Sequence, residues 1–239
     1  MIALEADFSN ASASRPQANR LKHVPRLVMT IGCLCLLGVA TGCAILGAAA
    51  GKITRTVVQP AYTGLAQQSV GVMVTTDRGT QIDYPRIQLD VAQSVHAKLQ
   101  GAQKNKAKEL EGTQFPPSAD PSAIFAFQRN YPQYDVEPIA AVAPKLGVSR
   151  VIYIEIEGFS LNPADVPELS RGEVNGRVRV VEVTGNEGKV VFSDAVTAVF
   201  PEGSPPDGVP NLSRALTYRG VIDAFGTAVA EKFIAHETY

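Results

Sequence analysis

Glu155 and Glu157 stand two residues apart in the run Val151 to Glu157, and alternate residues of an extended strand share one face. Two carboxylates on one face could work as the acid and base of a hydrolase. The plainer reading is that they mark where the strand leaves the core for solvent. Of the three histidines, His23 precedes a long apolar segment, His236 lies in the terminal tail and His96 sits beside an apolar stripe. None has an identifiable base or orienting partner. Arg177 and Arg179 alternate with apolar residues and read as the wet face of a strand rather than an anion site. Gly185 and Gly188 read as turn glycines, since no helix N-terminus follows to hold a phosphate. There is no G-x-S-x-G elbow, Walker loop, dinucleotide fingerprint or H-E-x-x-H pair. No catalytic residue, cofactor or metal site is therefore expected, with a hydrolase using Glu155 and Glu157 as the alternative.

Cysteine supplies the other reactive group. Cys33, Cys35 and Cys43 lie in or next to an apolar run, and none follows, so the remainder can hold no disulfide and no thiolate metal site. Arg15, Arg20, Lys22 and Arg26 precede the run, which carries no charge from Leu27 to Gly51. A basic start, an apolar stretch and small residues before a cut site form an export signal. The small residues here are Ala40, Thr41 and Gly42, directly before Cys43. They resemble the lipobox of bacterial lipoproteins, in which the cysteine thiol takes a diacylglyceryl group and the chain is cut just before it. Ala40 departs from the leucine preferred at its position. The resemblance implies a membrane anchor at Cys43, since two or three acyl chains hold where one is marginal. An uncleaved span is the rival: 25 uncharged residues at about 1.5 Å each cross about 30 Å of hydrocarbon. Gly47 and Gly51 would then form a helix-packing pair. A buried core helix fits less well, because the segment is apolar on every side. In either membrane reading the basic residues stay inside and the rest of the chain faces the periplasm.

The elements behind this segment define an expected organisation of signal peptide 1–42, lipid-anchored tether 43–68 and one α/β domain 69–239. Val70–Val74 is almost wholly apolar, as in a strand buried on both faces. Asp83 offers an N-cap and Pro85 a first turn for a helix carrying Ile87, Val91, Val95 and Leu99 at spacings of four, ending before Gly101. Residues 101–134 lack a period, although Asp120-Pro121 can open a turn or two of helix. A second helix is expected over Val136–Leu146, with Gly147 as its left-handed cap. Val151–Glu157 is the strongest strand and is expected at the centre of the sheet. Val174–Val183 and Lys189–Phe200 flank Thr184–Gly188 as a hairpin. In the first of these, Val174, Gly176, Val178 and Val180 face inward against Asn175, Arg177 and Arg179. A last helix, Arg214–Phe233, places Tyr218, Val221, Ile222, Phe225, Val229 and Phe233 on one stripe. These elements predict an α+β sandwich of the α/β class: a mixed sheet of four or five strands with the helices Pro85–Leu99, Val136–Leu146 and Arg214–Phe233 packed on it.

The order of VGVMV, an amphipathic helix, LGVSRVIYIEIEGF, RGEVNGRVRVVEV, TGNEGK and VVFSDAV resembles an envelope module. It is similar to the curli-secretion channel lipoprotein, the penicillin-binding-protein activator lipoproteins and the amino-terminal domain of the Tol translocation protein. The resemblance covers roughly Val70 to Val199 and departs from the group in 101–134, where a further strand would stand. It implies a non-enzymatic module that binds another envelope protein or assembles with itself. Charge agrees with that class. After Cys43 the chain carries 18 Lys and Arg against 21 Asp and Glu, a formal charge of −3, and this mild acidic balance argues against a general nucleic-acid binder. A structural filler of the periplasm with no specific partner is the third expectation.

Overall fold

In the computed structural model, residues 56–163, 166 and 168–238 are described, and they belong to one unit, Thr54–Tyr239. The expected signal peptide and the lipobox residues Ala40, Thr41, Gly42 and Cys43 lie outside the described residues. In chain order the elements are β1 (Thr56–Val58), β2 (Val70–Thr76), α1 (Arg78–Asp83), α2 (Ile87–Lys104), α3 (Pro121–Asn130), α4 (Ile139–Val142), β3 (Arg150–Ser160), β4 (Gly172–Thr184), β5 (Glu187–Phe200), α5 (Arg214–Ala230) and β6 (His236–Thr238). The main sheet has the order β2-β3-β4-β5, and β1 pairs with β6 in a separate two-stranded ribbon.

The sheet is mixed. β2 runs parallel to β3, and β3, β4 and β5 are successive antiparallel neighbours. The long helices α2 and α5 cover one face. Beneath them Val72, Val74, Ile152, Ile154, Val178 and Val180 meet Val95, Leu99, Phe225 and Val229. On the opposite face α3 packs on β2, and α4 crosses from there to the β4–β5 hairpin, so that Met73, Ile124, Val142, Val151 and Val181 pack together and Gly188 lies against Ala140. Helices on both sides explain why every residue of β2 is buried although it ends the sheet. The turn between β4 and β5 has two central residues, and Gly185 at φ 60° occupies the first, the glycine-first pattern of a type II′ hairpin. This is the expected α+β sandwich, with four strands in its main sheet.

Several boundaries differ from expectation. Asp83 ends α1 instead of capping the next helix. Asp77 is the cap, its carboxylate accepting from the Thr80 amide at 3.0 Å. Pro85 then sits in the turn before α2, which runs on through Gly101 to Lys104. A glycine costs a helix only about 1 kcal/mol, and the continuation is held where Gln103 Nε2 donates to the Thr113 carbonyl. Asp120 caps α3 from the Ser122 amide at 2.9 Å, giving a ten-residue helix inside the stretch that lacked a period. No further strand forms there among the described residues. A single parallel bridge, Ser69 to Gln114, stands in its place.

The helix expected over Val136–Leu146 is reduced to four α-helical residues and a 3₁₀ turn, Ala143–Leu146. Pro138 sits at its cap and Pro144 lacks the amide that would continue it. Val136 lies outside with 83% exposure, and Gly147 is left-handed, as expected, at φ 69°. The last helix stops at Ala230, but Phe233 still reaches the core. Within residues 56–68, the described part of the expected tether, one side chain is buried and the rest are exposed or half-buried. Leu65 is 1% exposed, and the Tyr62 amide donates to the Lys232 carbonyl at 3.0 Å.

Candidate functional site

Away from α4, the same face of β3, β4 and β5 carries no helix among the described residues, and the pleat brings Glu155 and Glu157 onto it, opposite the isoleucines of β3. Glu155 pairs with Arg179 at 3.1 Å and Glu157 with Arg177 at 3.2 Å. In the ladder Glu155 lies opposite Arg177, so both ion pairs run diagonally between β3 and β4. A bulge between Ile156 and Gly158 sets Glu157 off register. All four side chains are partly exposed. The Tyr153 phenol, on the same face, is pushed up to about 12, chiefly by burial and next by Glu155. Beyond it Thr197 donates to Asn175 at 3.0 Å. This is an alternating charge ladder on an open sheet, and neither carboxyl lies in the apolar enclosure that prepares a general acid.

The remaining sequence candidates take structural places. His96 stacks edge-on against Phe115 at 5.0 Å, and burial holds its imidazole below its ordinary value against the opposing pull of Asp120. It is a boundary residue. Gly188 lies against α4, where a Cβ would fall 2.4 Å from the Ala140 carbonyl oxygen. The hairpin is thus clamped from one side. Among the described residues no three His, Cys, Asp or Glu side chains converge as metal ligands. No helix among them is long and apolar enough to cross a membrane.

Sequence reasoning missed a cleft at the carboxyl end of β2. The chain leaves β2 through α1 onto α2 on one face and returns through α3 on the other. Between the start of α2 and the end of α3 a depression of 490 Å³ opens, lined by Thr76, Arg78, Gln88, Gln128, Arg129 and Tyr134 among others. Gln88 is 2% and Gln128 is 4% exposed. Their amides are held: Gln81 Nε2 donates to Gln88 Oε1 at 2.9 Å, Gln88 Nε2 to the Tyr134 hydroxyl at 3.4 Å, and Gln128 Nε2 to the Val74 carbonyl at 2.8 Å. Thr76, 9% exposed, has a shielded hydroxyl with no hydrogen-bond partner among the described residues. A second depression of 300 Å³ shares Thr76 and Asp135 with the first and continues toward Tyr153, Glu155 and Glu157. The sequence held one partial signal, since Gln128 follows Ile124 by four residues and so falls on the buried stripe of α3.

A third depression, of 620 Å³, lies between the first turns of α2 and α5. Tyr84 stacks on Tyr218 at 5.8 Å and meets Phe159 edge-on at 4.6 Å. Arg214 donates to the Tyr84 hydroxyl at 2.6 Å, and Tyr218 donates to Asp90 at 2.8 Å. Burial, reinforced by Asp90, raises the Tyr218 phenol far above its ordinary value, so it stays a donor. The cluster ties the two helix starts together.

No family model matches the sequence, and no curated protein matches it. Among solved structures the chain is similar to the PelC dodecamer from Paraburkholderia phytofirmans, at 10% identity and a TM-score of 0.40 over 76% of this chain and 97% of that one. It is also similar to lipoprotein GNA1162 from Neisseria meningitidis, at 16% identity and a TM-score of 0.37 over 63% and 90% of the two chains. The hypothetical protein CT253 from Chlamydia trachomatis is similar at 16% identity and a TM-score of 0.39 over 70% and 98%.

Proposed function

We propose that this chain is a membrane-anchored lipoprotein of the bacterial cell envelope, attached through Cys43, whose folded unit acts as a non-catalytic protein-binding or assembly module on the periplasmic side. The anchor half rests on the sequence: a basic start, an apolar run and Ala40-Thr41-Gly42 before Cys43. The observation that carries the other half is the pairing of Glu155 and Glu157 with Arg179 and Arg177. The two carboxylates that could have served as an acid/base pair are engaged in ion pairs between β3 and β4. A partner with a complementary alternating charge pattern fits this open face, and such pairing confers specificity and orientation more than raw affinity.

Two experiments separate the halves. Palmitate labelling is expected in the wild type and lost in Cys43→Ala, and equal labelling of both, or of neither, returns the apolar run to the uncleaved-span reading. A photo-crosslinking residue at exposed Thr197 is expected to give one reproducible envelope-protein adduct that disappears in Arg177→Glu/Arg179→Glu. The same residue at Leu216, exposed on α5, is expected to give none. Absence of the Thr197 adduct, together with a hydrolytic activity lost in Glu155→Gln, overturns the binding reading.

A further inference from the structure

We propose that the cleft at the carboxyl end of β2 is a binding site for a small zwitterionic ligand of the amino-acid or short-peptide class. The inference does not rest on the protein-partner reading above, which uses the open face of β3–β5. Its first support is position. The cleft opens beyond the carboxyl end of β2, an edge strand, between helices packed on opposite faces of the sheet. Here β2 is followed by α2 on one face, and the return to β3, its parallel neighbour, passes through α3 on the other. The depression of 490 Å³ falls within the range of small-molecule sites.

The second support is the chemistry of the floor. Burying an amide without a partner is costly, yet Gln88 and Gln128 are almost wholly enclosed and are fixed by the bonds to Gln81, Tyr134 and the Val74 carbonyl. They form a rigid, uncharged polar surface.

The third support is the charge around the mouth. Arg78 and Arg129 line the cleft at the start of α1 and the end of α3, and Asp135 lies where it meets the second depression. None of the three has an ion-pair partner among the described residues, unlike the four charged residues of the neighbouring sheet face. Two free cations suit a carboxylate, with arginine able to grip it through two parallel bonds. The single anion suits an ammonium group. The floor amides and the Tyr134 hydroxyl suit the polar atoms between those charges.

Isothermal titration of the full chain in detergent micelles tests the site with free alanine and alanyl-alanine as probes. At least one of the two is expected to bind, and which of them binds better tells a single amino acid from a peptide as the source. Capping the amino group or amidating the carboxyl of the better probe is expected to weaken binding about tenfold or more. Arg78→Gln/Arg129→Gln and Asp135→Asn are expected to do the same, with unchanged melting because all three side chains are exposed. Arg177→Gln, on the sheet face, is expected to bind the probe as the wild type does, so failure of the partner reading and failure of this one are read separately. No binding of either probe, or equal binding by the cleft variants, overturns the proposal. Undiminished binding of the capped probe overturns it as well, since the ammonium would then have no role.

Discussion

Replacing Gly101 with alanine gives a test in which the sequence-based helix end and the observed one differ in sign. Gly101 lies three residues before the end of α2, its carbonyl accepts from the Asn105 amide at 3.0 Å, and an added Cβ meets nothing within 4 Å. In that setting alanine removes the entropic cost of glycine without a steric one, a gain of about 0.5–1 kcal/mol. Had the helix ended before Gly101 with a left-handed cap, the same change would cost about 1 kcal/mol. Gly176→Ala is the companion. Its Cβ would fall 2.6 Å from the Glu155 carbonyl oxygen and 3.1 Å from Phe225 Cζ. That carbonyl belongs to the β3–β4 ladder and Phe225 is fully buried, so neither yields cheaply. Overpacking of this kind costs about 1–3 kcal/mol. At about 2–4 °C per kcal/mol for a unit of this size, Gly101→Ala should melt about 1–4 °C higher and Gly176→Ala about 2–12 °C lower. Urea unfolding followed by circular dichroism, with the slope unchanged, reports both. A lower midpoint for Gly101→Ala, or an unchanged one for Gly176→Ala, refutes the geometry from which these signs are drawn.

Phe225→Ala, at the centre of the larger core, should destabilise by about 3–5 kcal/mol in the same assay, because the cavity lies between α5 and the sheet with little room to collapse. Asp120→Ala should cost about 1 kcal/mol through loss of the α3 cap, and an unchanged midpoint would mean that the cap is idle. A double-mutant cycle of Glu155→Gln and Arg179→Gln should give a coupling of about 1 kcal/mol or less, since both side chains are partly exposed. A coupling several times larger would indicate a desolvated pair. For His96 the folded imidazole lies below the unfolded value of about 6.5, so the unfolded chain takes up its proton first. Stability should therefore fall as pH drops below about 6.5, and His96→Gln should remove that part of the slope. The lowered carboxylates Asp77, Glu137 and Asp194 act only in the more acidic carboxylate range.

Strands were legible because one period decides both their existence and their burial. In β4 the alternation of Val174, Gly176, Val178 and Val180 with Asn175, Arg177 and Arg179 is the buried and half-buried pattern of the fold. Val70–Val74 reads as doubly buried because helices cover both of its faces. Helix ends were less legible, because several signals compete at each. Asp83 and Pro85 make a credible start, but Asp77 makes another six residues earlier, and the chain uses Asp77 for the short α1. Gly101 is a credible stop, but a single glycine weighs less than the packing that carries α2 to Lys104. In the stretch before Gly147 the apolar side expected from Ile139, Ala140, Ala143 and Leu146 is met in part, with Ala143 and Leu146 buried and Ile139 and Ala140 half-buried. Spacing alone does not register that Pro144 withholds an amide from the middle of it.

The carboxylate pair was visible because two like groups at strand spacing stand out in a sequence, and the structure then shows that their partners were visible too, at Arg177 and Arg179. The cleft was not visible, for a different reason. Its parts are glutamines, a threonine and a tyrosine, residue types that a helix or strand normally turns toward water. Only a buried stripe makes them unusual, and Gln128 is one turn beyond Ile124 on such a stripe, while Gln88 directly follows Ile87 at the start of α2. Neither periodicity tells which polar residue on a helix is enclosed, since enclosure comes from the crossover that brings α2 and α3 together from opposite faces. That crossover depends on β2 pairing in parallel with β3, across seventy-odd residues, a pairing that no local spacing encodes. A catalytic site built from charged residues announces itself residue by residue. A binding floor built from amides exists only after the sheet has closed, and its charged rim, Arg78, Arg129 and Asp135, looks like ordinary surface until the floor beneath it is known.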